Sequence, residues 1–117
     1  MRHLKEGKKF GRMRGDRISF LRNFANDVIR AGKVETTEAR AKAVRPIVEK
    51  LITIAKQKDL AGRRLIASRV QNPRITKKLC DDLGPRYAER KGGYLRITKL
   101  QKARKRDGTR MARVEFV

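Results

Sequence analysis

The sequence predicts an α+β fold in which about four helices pack on a small three-stranded sheet. Four stretches place apolar residues three and four positions apart, which is the period of one helix face, and residues typical of helix boundaries flank them. Three short stretches alternate apolar and polar residues, as half-buried strands do. The chain has 117 residues, so we expect a single domain over residues 1–117. Residues 16–117 are expected to form the globular α+β body and residues 1–15 an extended basic N-terminal arm.

The clearest apolar stripe runs from Thr37 to about Lys58, and we expect it to form the central helix of the core. Its apolar residues follow the series i, i+3, i+4, i+7, i+8 and i+11: Val44, Ile47, Val48, Leu51, Ile52 and Ala55. Thr37 suits the N-cap position because its hydroxyl can accept a hydrogen bond from a free backbone N–H. Pro46 lies inside the stretch and removes one backbone hydrogen bond, so we expect either a kink or a restart of the helix there.

Three further helices are predicted around this one. The first begins with Asp16 as its N-cap and ends at Gly32, in the position after a helix that favours glycine. The third is capped by Asp59. Its inward-facing residues are predicted to be Leu65, Ile66 and Val70. The fourth begins at Asn72–Pro73 and is expected to end at Gly84–Pro85.

Three strands complete the predicted fold. They are residues 33–36, residues 94–98 and residues 110–117, each with alternating apolar side chains. A basic loop precedes the last strand, and Asp107–Gly108 within it is a turn signal.

Charge is the strongest functional signal in the sequence. Lys and Arg number 33 against 12 Asp and Glu, which gives a formal net charge of +21. Such a balance indicates a polyanionic partner, nucleic acid first and an anionic membrane second. No apolar run approaches the roughly 20 residues that span a bilayer, and no secretory signal pattern is present. Of the two polyanions we expect nucleic acid as the partner and no membrane. The single cysteine, Cys80, fits a reducing cytosol.

An enzyme or a metal site finds little support in the sequence. The one histidine, His3, lies in the expected arm, where nothing would position it as a catalytic base. Asp81 and Asp82 diverge around a helix, so solvated carboxylates, or ion pairs with Lys77, Lys78 or Arg86, are a better interpretation than metal binding. No Cys/His spacing supports zinc, and no phosphate-binding loop motif occurs. We therefore expect no catalytic residue, no metal, no cofactor and no small-molecule substrate.

Three basic segments are the candidate nucleic-acid contacts. Residues 1–17 and residues 99–113 each carry seven Lys or Arg, and a third cluster lies around Tyr87 and Tyr94. Aromatic rings among guanidinium groups can stack on unpaired bases while the cations hold phosphates, although core packing is an equal alternative for either tyrosine. The expected phosphate contacts are Arg2, Lys5, Lys8, Lys9, Arg12, Arg14, Arg17, Arg86, Arg90, Lys91, Arg96, Lys102, Arg104, Lys105 and Arg106. The candidate stacking residues are His3, Tyr87 and Tyr94.

Several short motifs occur together along the chain. The most specific block is Leu83-Gly84-Pro85-Arg86-Tyr87, Arg90, Gly92-Gly93-Tyr94 and Arg96-Ile97. Met1-Arg2-His3 at the start and Val114-Glu115-Phe116-Val117 at the end belong to the same pattern. On these residues the whole sequence resembles the bacterial large-subunit ribosomal protein seventeen family. It departs from the family pattern at Asp16, Leu95 and Thr109–Arg110.

The resemblance implies a non-catalytic, cytoplasmic protein of the ribosome. Such a protein would bind ribosomal RNA in the large subunit, mainly by phosphate and shape contacts, and would stabilise the RNA fold near the polypeptide exit region. Neighbouring ribosomal proteins, numbers twenty-two and thirty-two, are the implied protein partners. Two alternatives remain for a small basic protein. An architectural DNA-binding protein would bind duplex DNA and structured ribosomal RNA with comparable affinity, and a small basic nuclease would cleave RNA.

Overall fold

The structure, a computed structural model, describes residues 9–117. The helices are α1 (Arg14–Ala31), α2 (Glu38–Lys56), α3 (Leu60–Val70) and α4 (Pro73–Lys78), and the strands are β1 (Lys33–Thr37), β2 (Leu95–Ala103) and β3 (Arg110–Phe116). After α4 the chain continues through a π-helical turn, Leu79–Leu83, and one more α-helical turn, Gly84–Arg86. The predicted α+β class, with helices packed on a three-stranded sheet, is confirmed.

Helix α1 begins earlier than the sequence predicts. Its N-cap is Met13, and Asp16 lies inside the first turn, so the prediction of Asp16 as the N-cap is wrong. The Asp16 carboxylate still lies near the positive end of the helix dipole. The predicted end is confirmed, because Gly32 has a φ of 78° and its N–H donates to the Val28 carbonyl at 2.8 Å.

Helix α2 runs without a break through Pro46. Thr37 caps it as predicted, with its hydroxyl accepting a hydrogen bond from the Arg40 N–H at 3.3 Å. Pro46 is exposed, whereas Val44 and Val48 on either side of it are fully buried. Burial of such side chains stabilises by about 1.5–3 kcal/mol each, which offsets the roughly 3 kcal/mol cost of an internal proline. A restart of the helix at Pro46 is therefore excluded.

Helices α3 and α4 have the predicted caps. The Asp59 carboxylate accepts a hydrogen bond from the Gly62 N–H at 2.6 Å. The Asn72 side chain accepts one from the Arg74 N–H at 3.0 Å, and Pro73 occupies the first position of α4. Both helices therefore begin where short-range sequence signals place them.

Two other predictions on these helices are wrong. Leu65 is 41% exposed and does not face the core, although Ile66 and Val70 are buried as predicted. Gly84–Pro85 does not end the fourth helical segment. Gly84 has a helical φ of −56°, and the chain continues helically to Arg86.

The C-terminal strand lies in the middle of the sheet. The strand order is β1-β3-β2, and β3 pairs antiparallel with both neighbours. Strand β2 is longer than predicted, with a register shift between Lys99 and Ala103, so the basic loop before β3 is shortened to residues 104–109. Ala112 and Val114 of β3 are fully buried beneath the helices.

The hydrophobic core lies between the sheet and the helices, and α2 contacts α1, α3, all three strands and the helical turns that follow α4. Its largest fully buried aliphatic side chains include Ile29, Ile52, Ile66, Leu79 and Leu83. The stretch with the clearest apolar period in the sequence is thus the central helix of the core.

Candidate nucleic-acid interface

Most carboxylates in the described part of the chain are already engaged by its own cations. Seven of them form ion pairs: Asp27, Glu35, Glu38, Glu49, Asp81, Asp82 and Asp107. Because Lys and Arg outnumber Asp and Glu by 33 to 12, these pairs leave many cations of residues 9–117 without a carboxylate. A surplus of exposed positive charge is the electrostatic signature of a polyanion-binding surface.

The ion pairs of Glu35 on β1 link strands of the sheet. Its carboxylate accepts hydrogen bonds from Lys102 Nζ at 2.6 Å and from the Arg113 guanidinium at 3.2 Å. These bonds hold the pKa of Glu35 below its ordinary value of 4.5, and the hydrogen bond from Lys102 has the larger effect. Lys102, a predicted phosphate contact, therefore joins the outer strands of the sheet through Glu35.

Arg104 has a similar internal partner in the turn between β2 and β3. Its Nε donates to the Asp107 carboxylate at 3.0 Å, and the Thr109 N–H donates to the same carboxylate at 3.2 Å. The hydrogen bond from Arg104 is the main reason that the pKa of Asp107 lies well below its usual range. Lys105 and Arg106, in contrast, are exposed at the turn and pair with no carboxylate among residues 9–117.

The cations that follow the π-helical turn also fall into two groups, those with a carboxylate partner and those without one. The Arg86 guanidinium lies 3.1 Å from the Asp82 carboxylate, which confirms the expected ion pairing of that acid. Asp81 pairs with Arg63 at 3.4 Å, a partner that its position in the sequence does not suggest. The exposed cations of this segment without a carboxylate in the described structure are Arg90, Lys91 and Arg96.

Tyr87 and Tyr94 lie in the core, so the structure corrects the stacking role considered for them. Their side chains are 4% and 2% exposed, and their ring centroids are 5.2 Å apart. The Tyr87 hydroxyl donates to the Val117 carbonyl at 2.8 Å, and Lys56 Nζ lies 2.9 Å from the Tyr94 hydroxyl. A ring buried in this way has no free face for a base, and core packing is the alternative that the structure shows.

The N-terminal candidates are only partly covered by the structure. Arg2, His3, Lys5 and Lys8 lie outside the described residues. Lys9 is exposed before α1, and Arg14 and Arg17 lie on its first turns. Arg12 is half-buried, with its guanidinium carbon 3.9 Å from the centroid of the Phe20 ring.

Other exposed cations were not among the residues predicted from the sequence. Arg64, Arg69, Arg74 and Lys77 project from α3 and α4, and none pairs with a carboxylate among residues 9–117. Single cations on a helix are indistinguishable in sequence from an ordinary solvated face. Arg40 was also missed, since its contact with Phe20, at 5.1 Å from the ring centroid, joins two helices.

The remaining features of residues 9–117 do not form an enzyme-like site. This range holds no cluster of three or more His, Cys, Asp or Glu side chains that could bind a metal ion. None of its helices is both long and apolar enough to cross a membrane. Cys80 is half-buried, and burial raises the pKa of its thiol, which lowers its reactivity.

The fold and these charges define a small basic α+β protein with a surplus of exposed cations on its surface. The family model described as Ribosomal protein L17 matches residues 20–117. The chain is 42% identical over 117 residues to the large ribosomal subunit protein bL17 of Thermus thermophilus, with 100% of this chain and 99% of the relative covered. The bL17 protein of Gemmatimonas aurantiaca is 46% identical, with 100% and 98% covered, and that of a Sulfurihydrogenibium species 44%, with 100% and 97% covered.

The chain belongs to the ribosomal protein L17 family, whose members are structural components of the large ribosomal subunit and not enzymes. The resemblance deduced from the sequence motifs, and the expectation of a non-catalytic role, are confirmed. Ribosomal RNA and other ribosomal proteins are its partner classes.

Proposed function

We propose that this protein binds large-subunit ribosomal RNA mainly through phosphate and shape contacts and thereby stabilises the RNA fold. The observation that carries the proposal is the division of its charges. Among residues 9–117, most carboxylates form ion pairs within the protein, whereas exposed cations on several elements have no carboxylate partner. Cations that neutralise RNA phosphates release condensed counterions, which supplies a large share of the binding free energy.

The proposed contacts fall into two groups. Cations without a carboxylate in the described structure are the main phosphate contacts: Lys9, Arg12, Arg14, Arg17, Arg90, Lys91, Arg96, Lys105 and Arg106. Arg2, Lys5 and Lys8 join them on the sequence pattern, with His3 as a stacking candidate. Arg86, Lys102 and Arg104 have internal ion pairs, so we assign them to shaping the surface first and to RNA contact second.

The proposed place of the protein is near the polypeptide exit region of the cytoplasmic ribosome, beside ribosomal proteins twenty-two and thirty-two. Family resemblance supports this placement. Cross-linking of intact large subunits, read by mass spectrometry, tests it, with exposed lysines such as Lys50 and Lys77 as reporters. Cross-links to these two proteins are expected, and cross-links confined to distant proteins would contradict the placement.

Sedimentation and binding together test the proposed function. The full chain should sediment with large subunits through a moderately salted gradient and should prefer large-subunit ribosomal RNA over duplex DNA at matched salt. Recovery only in the free pool would overturn the proposal. Equal affinity for duplex DNA would favour the architectural DNA-binding alternative, and RNA cleavage by the purified chain would favour the nuclease.

A further inference from the structure

We propose that Arg12 and Arg40, positioned by the ring of Phe20, form a clamp that binds a backbone phosphate of RNA. The inference rests on the proposed function and assigns one specific contact within it. Arg40 was not predicted from the sequence, and neither the clamp nor the positioning role of Phe20 follows from the basic segments alone.

Three separate elements bring the clamp together. Phe20 lies on α1, Arg40 lies in the first turn of α2, and Arg12 precedes α1. The guanidinium carbons of Arg12 and Arg40 lie 3.9 and 5.1 Å from the centroid of the Phe20 ring. All three side chains are half-buried, which distinguishes these two arginines from the exposed cations elsewhere on the surface.

The Phe20 ring is itself held in place by two other rings. The centroid of Phe10 lies 5.7 Å from it, and that of Phe24 lies 6.2 Å away in a stacked arrangement. Aromatic packing of this kind fixes the ring orientation, and a guanidinium over a ring face is attracted by the ring quadrupole. The two arginines are therefore ordered before any ligand binds, and they lose less conformational freedom on binding than exposed cations do.

The charges of the clamp are not balanced within the described structure. Arg12 donates one hydrogen bond, from Nη1 to the Phe10 carbonyl at 2.9 Å, and this acceptor is neutral. Neither Arg12 nor Arg40 forms an ion pair with a carboxylate of residues 9–117. Both guanidinium carbons lie within 5.1 Å of one ring centroid, so they concentrate positive charge there, and a bound anion would offset it.

The geometry favours phosphate over a nucleobase. The Arg12 guanidinium lies over the Phe20 ring at 3.9 Å, and Phe10 and Phe24 pack on the same ring, so the ring is not open for stacking on a base. A guanidinium presents a planar fork of N–H donors that matches two phosphate oxygens, and a pair of such forks can hold one backbone segment. Phe20 is thus a positioning residue, while Arg12 and Arg40 are the groups that contact the phosphate.

Filter binding of the full-length chain to a transcript of large-subunit ribosomal RNA, over a range of KCl concentrations, tests the clamp. Arg12→Gln and Arg40→Gln should each weaken binding by about tenfold. The double variant, which removes both cations from the one phosphate, should reduce the slope of log affinity against log salt by about 0.7–0.9. Arg45→Gln is the matched control, since Arg45 lies on the same helix and its Nε bonds to the Glu49 carboxylate at 3.1 Å. The control should change affinity by less than about twofold.

Phe20→Leu tests the positioning role. It should weaken RNA binding, and adding Arg40→Gln to Phe20→Leu should cost much less than Arg40→Gln alone, because the interaction is already disrupted. Circular dichroism melts establish that each variant is folded at the binding temperature. Full additivity of the two substitutions would overturn the role of the ring, even if Phe20→Leu alone lowered stability.

The possible outcomes separate the clamp from the proposed function. If wild type binds ribosomal RNA and both glutamine variants behave like Arg45→Gln, the clamp is overturned and the proposed function stands. If wild type shows no preference for ribosomal RNA, the clamp and the proposed function are both overturned. If the variants keep RNA affinity but lose a cross-link to a neighbouring ribosomal protein in assembled subunits, the occupant is an acidic protein segment and the phosphate assignment is wrong.

Discussion

Gly84 lies directly against the backbone carbonyl of Ala55 at the end of α2. A Cβ atom built on Gly84 would be 2.9 Å from the Ala55 carbonyl oxygen and 3.2 Å from the Leu79 carbonyl oxygen. Both are backbone atoms, so neither can move aside as a flexible side chain would. The glycine lets the helical turn after the π-helical segment approach α2, which gives this residue of the Leu83–Tyr87 block a packing role.

We expect Gly84→Ala to destabilise the protein by about 1–3 kcal/mol, the usual range for overpacking, as measured by chemical denaturation. The φ of Gly84 is −56°, where alanine would otherwise be favoured in a helix, so the loss can come only from the close contact. Gly92→Ala is the control, because its Cβ would meet open space, and it should be neutral within about 0.5 kcal/mol. A stabilising Gly84→Ala would contradict the close packing.

Removal of the Tyr87 hydroxyl should affect stability and not RNA binding. Tyr87→Phe deletes the hydrogen bond to the Val117 carbonyl, which is worth about 1 kcal/mol, while the ring can remain buried. Thermal melts check the stability, and filter binding well below the melting temperature checks the RNA affinity. A loss of affinity with unchanged stability would show that the hydroxyl contacts RNA and does not hold Val117.

Local signals in the sequence predict most of the fold, because they act within a few residues. The Thr37 cap, the glycine at the end of α1 and the apolar period of α2 are of this kind. The exposure of Leu65 and the continuation of the helix through Gly84 depend on what packs against them, and no local pattern encodes that. Pro46 in an unbroken helix is a further case, since the packing of its neighbours outweighs its propensity.

Acid should weaken the sheet through Glu35. Its pKa in the folded protein is lowered, so its ion pairs stabilise the fold fully above its ordinary value of 4.5 and are lost as the pH falls through the lower folded value. The melting temperature of wild type should stay level as the pH is lowered from 7 and should decline below about pH 4.5, down to pH 2. Glu35→Gln should be less stable than wild type at neutral pH and should converge with it at the acid end.

Glu89→Gln provides the comparison for this experiment, since Glu89 is exposed and forms no ion pair with any of residues 9–117. Its curve should follow that of wild type. A Glu35→Gln curve parallel to that of wild type over the whole pH range would show that the Lys102 and Arg113 contacts do not supply the acid dependence.

Removing the charge of the ion-paired Arg104 and removing that of Arg106, both in the β2–β3 turn, should have different effects. Arg104→Gln removes the partner of Asp107 and should speed hydrogen exchange at the Thr109 amide, which donates to that carboxylate. Arg106→Gln should leave that exchange rate unchanged and should weaken RNA binding. The reverse assignment, with a faster Thr109 amide only in Arg106→Gln, would contradict the structure of the turn.

The sequence predicts the kind of candidate site, a set of basic segments, but not which of its cations are available to a ligand. Runs of Lys and Arg identify the basic segments, but they do not show which cations already have partners in the fold. Lys102 pairs with Glu35 across 67 residues of sequence, and Arg40 meets Phe20 only because α1 packs on α2. Such partners exist only after folding, so only the structure separates the cations available to RNA from those that hold the protein together.

The most direct test of RNA recognition by unpaired cations compares two triple variants with the same loss of charge. One replaces Arg90, Lys91 and Arg106 with Gln, and the other replaces the ion-paired Arg30, Arg45 and Arg63. The salt dependence of affinity for large-subunit ribosomal RNA should lose about 2 to 3 units of slope in the first variant. It should change little in the second. Equal slopes in the two variants would mean that net charge alone drives binding, and would contradict the proposed phosphate contacts.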